Sequence, residues 1–288
     1  MQAVRRRAII KKATKLSISH FLLICGSILM LFPLVWLFLS SFKPSNEIFT
    51  LKFSLIPKHF TLANYQNGWY TNPQYTFGHF MLNTLRLVVE TLVCTLISCS
   101  LTAFAFSKLK FPGRSLLFAL MMLTMMVPGQ VTMIPTYIMY TKFGWLNTHL
   151  PFIVPAATAT SAFDVFLLMQ FMRTIPQELS DAAYIDGCSN LRLYWRIIIP
   201  LSRNAIFSVT IFTIMGTWNE FLKPLIYLTK VKNYTVSIVI KSIVDVQEPA
   251  GWGNLMSMSV VSLLPCIIIF FLAQRYFIEG IATTGLKG

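Results

Sequence analysis

Charge is scarce in these 288 residues: 12% are Asp, Glu, Lys or Arg, and only ten are acidic. Soluble domains carry roughly 25% charged residues. With 55% hydrophobic residues and a mean hydropathy of +0.64, the chain holds more apolar surface than a water-soluble core can hide. One or two soluble domains are therefore excluded. Five cysteines, at 25, 94, 99, 188 and 266, form no CxxC pair, and four lie in or near apolar runs. They read as small buried hydrophobes rather than metal or redox ligands. The four histidines are scattered, with no partner at ligand spacing. No nucleophile–base or metal constellation is present, which argues against an enzyme. Nor is there a GxxxxGK[ST] phosphate loop, so the chain is not an ATPase by that mechanism.

What is abundant is apolar sequence in long runs. A membrane-crossing helix needs about 20 mainly apolar residues. Six runs meet that test, at about 20–41, 82–106, 115–141, 150–172, 204–228 and 257–276. The first follows a basic start, RRRAIIKKATK, but is too long for a signal-peptide core and has no small-residue cleavage site, so it is read as an uncleaved helix. The net charge of +14 does not suggest nucleic acid, because the basic residues fall in short loops rather than on one polar face. The N-terminal tail carries six, SKLKFPGR (107–114) three and the loop 173–203 four. The longer segments 42–81 and 229–256 carry only three each, and 142–149 one. The positive-inside rule then places both termini and the 173–203 loop in the cytoplasm. The expectation is an all-α polytopic membrane protein: a basic tail 1–19, a six-helix domain 20–276 and a cytoplasmic tail 277–288.

The third run contains Pro128, Gly129 and Pro135 in MVPGQVTMIPTY. Proline removes a backbone donor and clashes with the preceding turn, so a kink or break is expected. Broken backbone at membrane depth survives only where protein or a wet cavity covers it. Both a cavity-lining broken helix and a kinked packing helix fit. The outer segment 42–81 is aromatic and turn-rich, which fits either an ordered cap with a short interfacial helix or an ordinary packed loop.

Residues 178–200, ELSDAAYIDGCSNLRLYWRIIIP, hold three of the ten acids between two apolar runs. They read as two short helices around a glycine. Thr174 and Gln177 have capping-box spacing, and Pro176, Glu178 and Asp181 suit the first turn. Ala182 and Ala183 allow close approach of another surface, and Gly187 supplies a left-handed stop. Asp186 breaks a local rule by sitting at the helix's negative end. A second helix capped by Ser189 or Asn190 would put Leu191, Trp195 and Ile198 on one face, with Arg192 and Arg196 as a basic stripe. Pro200 marks the return to the membrane. Such an element either docks into a soluble partner or serves as an amphipathic connector.

This segment resembles the EAA loop of ABC importer permeases, with Asp181, Ala182 and Ala183 at the E-A-A positions, Gly187 as the glycine, and Ile197 and Pro200 closing the pattern. Asp replaces Glu at the first place. MVPGQVTMIPTY with the following KFGWLNT, GTWNEFLKPLIYL (216–228) and the tail QRYFIEGIATTGLKG are similar to carbohydrate-type permeases of that family, in the same order. The resemblance implies a type I importer permease in the bacterial inner membrane, like the maltose-G-type subunit. It implies a second permease, an ABC ATPase dimer carrying the ATP and Mg, an external solute-binding protein and a carbohydrate substrate. No cofactor is implied on this chain. ATPase coupling would rest on Glu178, Asp181, Ala182, Ala183, Asp186, Gly187, Leu191 and Pro200.

Ionisable groups inside a bilayer face the protein interior or water. Arg86 and Glu90, four apart, could pair on one helix face. Asp164 has no partner that the sequence names. Glu220 and Lys223 are three apart in WNEFLKPL, where Lys223 departs from the aromatic residue common in the family. Lys223 either pairs with Glu220 or helps accept an anionic sugar. Trp218 offers a sugar-stacking face or simple packing, and Asn219 offers a two-way hydrogen-bonding group. Together with Gln130 and Asp164, these make up the expected substrate path. Two other readings stand beside this one. One is a secondary transporter relaying ions through Glu90, Asp164 and Glu220. The other is an ABC permease for a different solute, such as a glycerol-phosphate ester or a peptide.

Overall fold

The computed structural model describes residues 2–49, 54–70, 72–245 and 251–284. Residues 50–53 and 71 of the outer segment, 246–250 and the end of the expected tail (285–288) lie outside the described residues. Those described are helical or irregular, with no strand among them. In chain order, α1 is Gln2–Ser40, α2 Ser45–Ile48, α3 Ala63–Trp69 and α4 Phe77–Lys108. Then come α5 Arg114–Thr124, α6 Gly129–Lys142, α7 Leu150–Ala157, α8 Ala162–Thr174 and α9 Gln177–Ile185. The chain continues through α10 Asn190–Leu193, a π-helical turn Tyr194–Ile198, α11 Ile199–Leu201 and α12 Arg203–Asn219. It closes with α13 Leu222–Tyr227, α14 Val236–Asp245 and α15 Gly251–Thr284.

Four helical stretches are long and apolar enough to cross a membrane: Leu16–Ser40, Phe77–Lys108, Leu150–Thr174 and Gly251–Gln274. Two bent pairs bring the number to six, α5 with α6 at 99° and Asn190–Leu201 with α12 at 79°. The first bend sits where the sequence places it: Pro128 is the extended residue before α6, at ψ 129°. The other breaks were not legible. The fourth run has a discontinuity between α7 and α8, with Ala159 at φ +54°. The fifth, expected unbroken over 204–228, is interrupted because Glu220 is extended at ψ 127°. The carboxylate of Glu220 then accepts the backbone N–H groups of Phe221, Leu222 and Lys223 at 3.1, 3.1 and 3.5 Å. These are the orphan donors that open α13, so an acidic residue makes a good break here.

The chain divides into two compact units. One comprises residues 1–71 with 243–261. Its order comes from a buried amide: Asn64 Nδ2 donates to the carbonyls of Ser41 and Lys43 at 2.8 and 2.7 Å. Ser257 Oγ returns a bond to the Asn64 carbonyl at 2.9 Å. Lys43 is itself buried and donates to the Ser54 carbonyl. Glu47 clasps the next stretch by accepting the N–H of Lys58 at 2.7 Å and of His59 at 3.3 Å. The Lys58 bond is the main cause that holds its carboxyl below the usual carboxylate range. Phe42 and Phe60 stack at 4.9 Å. This outer segment carries two short helices, α2 and α3. Gly253 lies against Asn64, where a Cβ would stand 2.3 Å from Oδ1. Gly253→Ala must push that buried amide off its two carbonyls and is expected to destabilise the protein by about 2 kcal/mol. Thermal unfolding of the purified protein in detergent checks this against Gly26→Ala, whose Cβ meets nothing within 4 Å.

The second unit comprises residues 72–242 with 262–288. Here α4 is the central helix, packed on α7, α8 and α12. Its small buried residues Cys99 and Ala103 let the neighbours approach closely, as small residues do in membrane helices. Leu168, Met169 and Met172 from α8, with Leu193, Tyr194 and Ile198, complete the core. A buried hydrogen bond of 2.6 Å joins Ser100 Oγ to the Tyr194 hydroxyl. At one end of α4, the Arg114 guanidinium caps the helix by donating to the carbonyls of Phe106 and Leu109. Lys108 Nζ reaches the Ile175 carbonyl at 2.7 Å, tying the ends of α4 and α8 together.

The KFGWLNT turn is held by one residue. Asn147, in the left-handed region at φ +61°, accepts the N–H groups of Thr229 and Lys230 on Oδ1, both at 2.7 Å. Its own N–H donates to the Tyr227 carbonyl at 2.8 Å, and its carbonyl accepts Asn233 Nδ2 at 2.6 Å. Nearby, Glu90 meets His149 Nδ1 at 2.5 Å, linking α4 to the residue that opens α7. Arg86, expected as the partner of Glu90, is exposed and forms no ion pair with it. Reach decides this: the rigid imidazole just before α7 arrives directly at the carboxylate.

Candidate functional site: a coupling loop and a membrane cavity

The loop after α8 forms two helices around Gly187. The capping box is absent, because Thr174 Oγ1 donates back to the Phe171 carbonyl at 2.7 Å and Pro176 is the cap position. Gln177 instead reaches Asp181 Oδ1 at 3.3 Å. At the far end, Gly187 is left-handed at φ +75°. Its N–H donates to the Tyr184 carbonyl at 3.0 Å, and that of Cys188 to the Ala183 carbonyl at 2.9 Å. This pair is a Schellman motif, which only glycine enters without strain. Ser189 caps α10 by accepting the Arg192 N–H, and the Tyr184 hydroxyl bridges the two helices to Asn190 Oδ1 at 2.8 Å.

Glu178, Asp181, Ala182, Asp186, Gly187, Leu191 and Pro200 are exposed, while Ala183 is buried in the core. The two alanines thus face opposite ways, one outward and one inward. The apolar face differs from the one expected. Leu191 and Trp195 are exposed at 62% and 55%, and Ile198 is buried with Leu193 and Tyr194 instead. The cause is the π turn, in which the Ile199 N–H returns to the Tyr194 carbonyl five residues back. Pro200 follows it, with no N–H to donate and a ring that crowds the preceding turn. Ile185, 87% exposed beside Gly187, is an apolar tip that the spacing did not single out.

Inside the second unit, α4, α6, α7, α8, α12 and α13 surround a cavity of about 880 Å³. Gln130, Asp164, Glu220 and Lys223 line it, so four of the six expected path residues come together. The broken third span is thereby a cavity-lining one. Trp218 and Asn219 do not line the cavity. Trp218 is buried against Val88 and Cys266, with its indole N–H on the Ser262 carbonyl at 3.2 Å, so no stacking face is presented. Asn219 bonds back to the Met215 carbonyl at 2.8 Å. The spacing also missed a set of hydroxyls on the wall, including Thr91, Thr95, Thr136 and Thr217. Ser161 follows the Ala159 break and donates to Asp164 Oδ2 at 2.6 Å.

Six candidate crossings, two of them bent, a hydroxyl-lined cavity and an exposed helix–glycine–helix loop directly after a cavity-lining helix define a membrane-embedded transport subunit. Residues 96–283 match the family described as "Binding-protein-dependent transport system inner membrane component", and the chain belongs to that family. It is an inner-membrane permease component of an ABC importer, one part of a multi-subunit system. Over 260 residues it is 30% identical to the diacetylchitobiose uptake system permease protein NgcG of Streptomyces coelicolor, covering 90% of this chain and 85% of that one. It is 29% identical over 266 residues to the sn-glycerol-3-phosphate transport system permease protein UgpE of Yersinia pestis, covering 91% and 94%. Among solved structures, a bacterial ABC transporter involved in import of the acidic polysaccharide alginate superposes with a TM-score of 0.81 at 21% identity, over 90% of this chain and 95% of that one. The shared fold is the type I permease fold.

Proposed function

We propose that the chain forms half of the translocation path for an oligosaccharide or related carbohydrate, beside a second, homologous permease. An ABC ATPase dimer would dock on the 173–203 loop, and an external binding protein would deliver the solute. The observation that carries this reading is the continuity of α8. Asp164 in its first turn lines the cavity, and its last turn leads through Pro176 into α9. A push on the acidic, exposed α9–α10 element therefore moves the cavity wall. The chain needs no cofactor of its own in this scheme; ATP and Mg act on the partner ATPase.

The hydroxyl-rich wall, with aromatic residues such as Tyr140, Phe152 and Tyr227, suits a polyhydroxylated solute better than an apolar one. An importer of a disaccharide and one of a glycerol-phosphate ester are both represented among the relatives. The ion-relay alternative gives the exposed α9–α10 element no role, which favours the ATP-driven reading. Purification of the chain from native membranes tests the assembly. Recovery of a second permease and an ATPase is expected, and recovery of the chain alone or only as a homo-oligomer overturns it.

A further inference from the structure

Three charged side chains line the cavity: Asp164, Glu220 and Lys223. Two of them are spoken for. Glu220 gives Oε1 to the start of α13, and its Oε2 stands 3.9 Å from Lys223 Nζ. The cation is thus neutralised within its own helical turn and is not offered whole to a solute. Asp164 is different. It is 8% exposed, its one hydrogen bond is to Ser161, and no Lys, Arg or His stands within ion-pair distance among the described residues. A carboxylate inside a bilayer needs hydrogen-bond donors and water; the Ser161 hydroxyl and the cavity supply them. Ionised, Asp164 leaves the lining formed by the described residues with one unmatched negative charge, in a place where low dielectric lets it act over several ångströms.

Resting on the saccharide reading above, we propose that this chain discriminates by charge. Asp164 is a specificity determinant that disfavours uronate-, sulfate- or phosphate-bearing solutes, and the solute that fits the cavity is an uncharged or cationic saccharide. The chain's fold neighbour and one of its relatives are named for anionic solutes, so the fold alone does not fix this preference. In this scheme Lys223 answers Glu220, 3.9 Å away, rather than an anionic sugar.

The test uses the complete complex in proteoliposomes, with its own binding protein, and compares uptake of cellobiose and diacetylchitobiose with that of a dimannuronate. Because the binding protein is the same in every variant, its selectivity cancels when ratios are compared between variants. Asp164→Asn is expected to raise the acidic-to-neutral uptake ratio about tenfold. Gln130→Lys, which adds a cation to an exposed part of the wall, should shift the ratio in the same direction. Both shifts should shrink at high salt. Active complexes whose ratio moves in neither variant overturn the proposal. A wild-type complex that carries none of these saccharides overturns instead the saccharide reading on which it rests.

Discussion

Gly187→Val is expected to lower coupled transport about tenfold or more while leaving the rest of the chain folded. A non-glycine residue in the left-handed region costs roughly 1–2 kcal/mol, and a β-branched one more. At Gly187, φ +75°, that strain falls on the Schellman turn which aims α10 away from α9. Nothing lies within 4 Å of the Cβ position, so no core clash accompanies it. The change acts on turn geometry and on the exposed surface that includes Ile185 and Asp186. The matched control is Gly144→Val. It has the same kind of strain, φ +68°, with nothing within 4 Å, in the KFGWLNT turn away from the coupling loop. ATPase recovery on purification and solute-stimulated ATP hydrolysis should fall for Gly187→Val and hold for Gly144→Val. Equal behaviour of the two variants would show that the loop is not where the ATPase docks.

Asn147→Ala is expected to destabilise the protein by about 2–4 kcal/mol. Alanine loses the tolerance of asparagine for the left-handed conformation at φ +61°. It also strips the acceptor from the N–H groups of Thr229 and Lys230, each bonded at 2.7 Å. A lost partner costs about 1–3 kcal/mol when the orphan stays dry and less where water reaches it, as it does in part here. Two comparison variants separate the terms. Asn147→Asp keeps the acceptor oxygens and loses only the Nδ2 donation to Thr229 Oγ1 at 2.9 Å, so it should retain most of the stability. Asn147→Gly keeps the backbone freedom and loses the side-chain bonds, so it should fall between Asp and Ala. Thermal unfolding in detergent ranks them, and an alanine variant as stable as the wild type would remove Asn147 from its role as the clasp of this turn.

Much of the fold was legible because its causes are local. A run of about 20 apolar residues needs a membrane wherever it sits. Pro128 breaks a helix through its own missing donor, and Gly187 stops one through its own missing Cβ. The α9–α10 loop was readable for the same reason: its turns, its Ser189 cap and its exposed carboxylates are properties of neighbouring residues. The Thr174–Gln177 spacing failed because a hydroxyl three residues past a helical carbonyl can bond backward instead.

The cavity lining was legible only in part. Gln130, Asp164, Glu220 and Lys223 converge on the cavity, but Trp218 and Asn219, beside them in sequence, do not. Helical spacing places Trp218 on a definite side of α12. Whether that side meets a cavity or a core depends on Val88 and Cys266, which lie 130 residues before it and 48 after. The threonine wall carried no signal, since a hydroxyl in a membrane helix is satisfied equally well by its own backbone.

Membrane residence, the number of candidate crossings, the break in the third and the exposed helix–glycine–helix element after α8 are all written into short stretches of the chain. All of these follow from hydropathy and backbone preference acting over a few residues. Packing between distant segments set which carboxylates are engaged by neighbours and which of them line the cavity. The π turn moved Leu191 and Trp195 outward, His149 took Glu90 from Arg86, and the start of α13 took Glu220. A charge finds its partner through space, and the distances that settle the matter exist only once helices distant in sequence have packed.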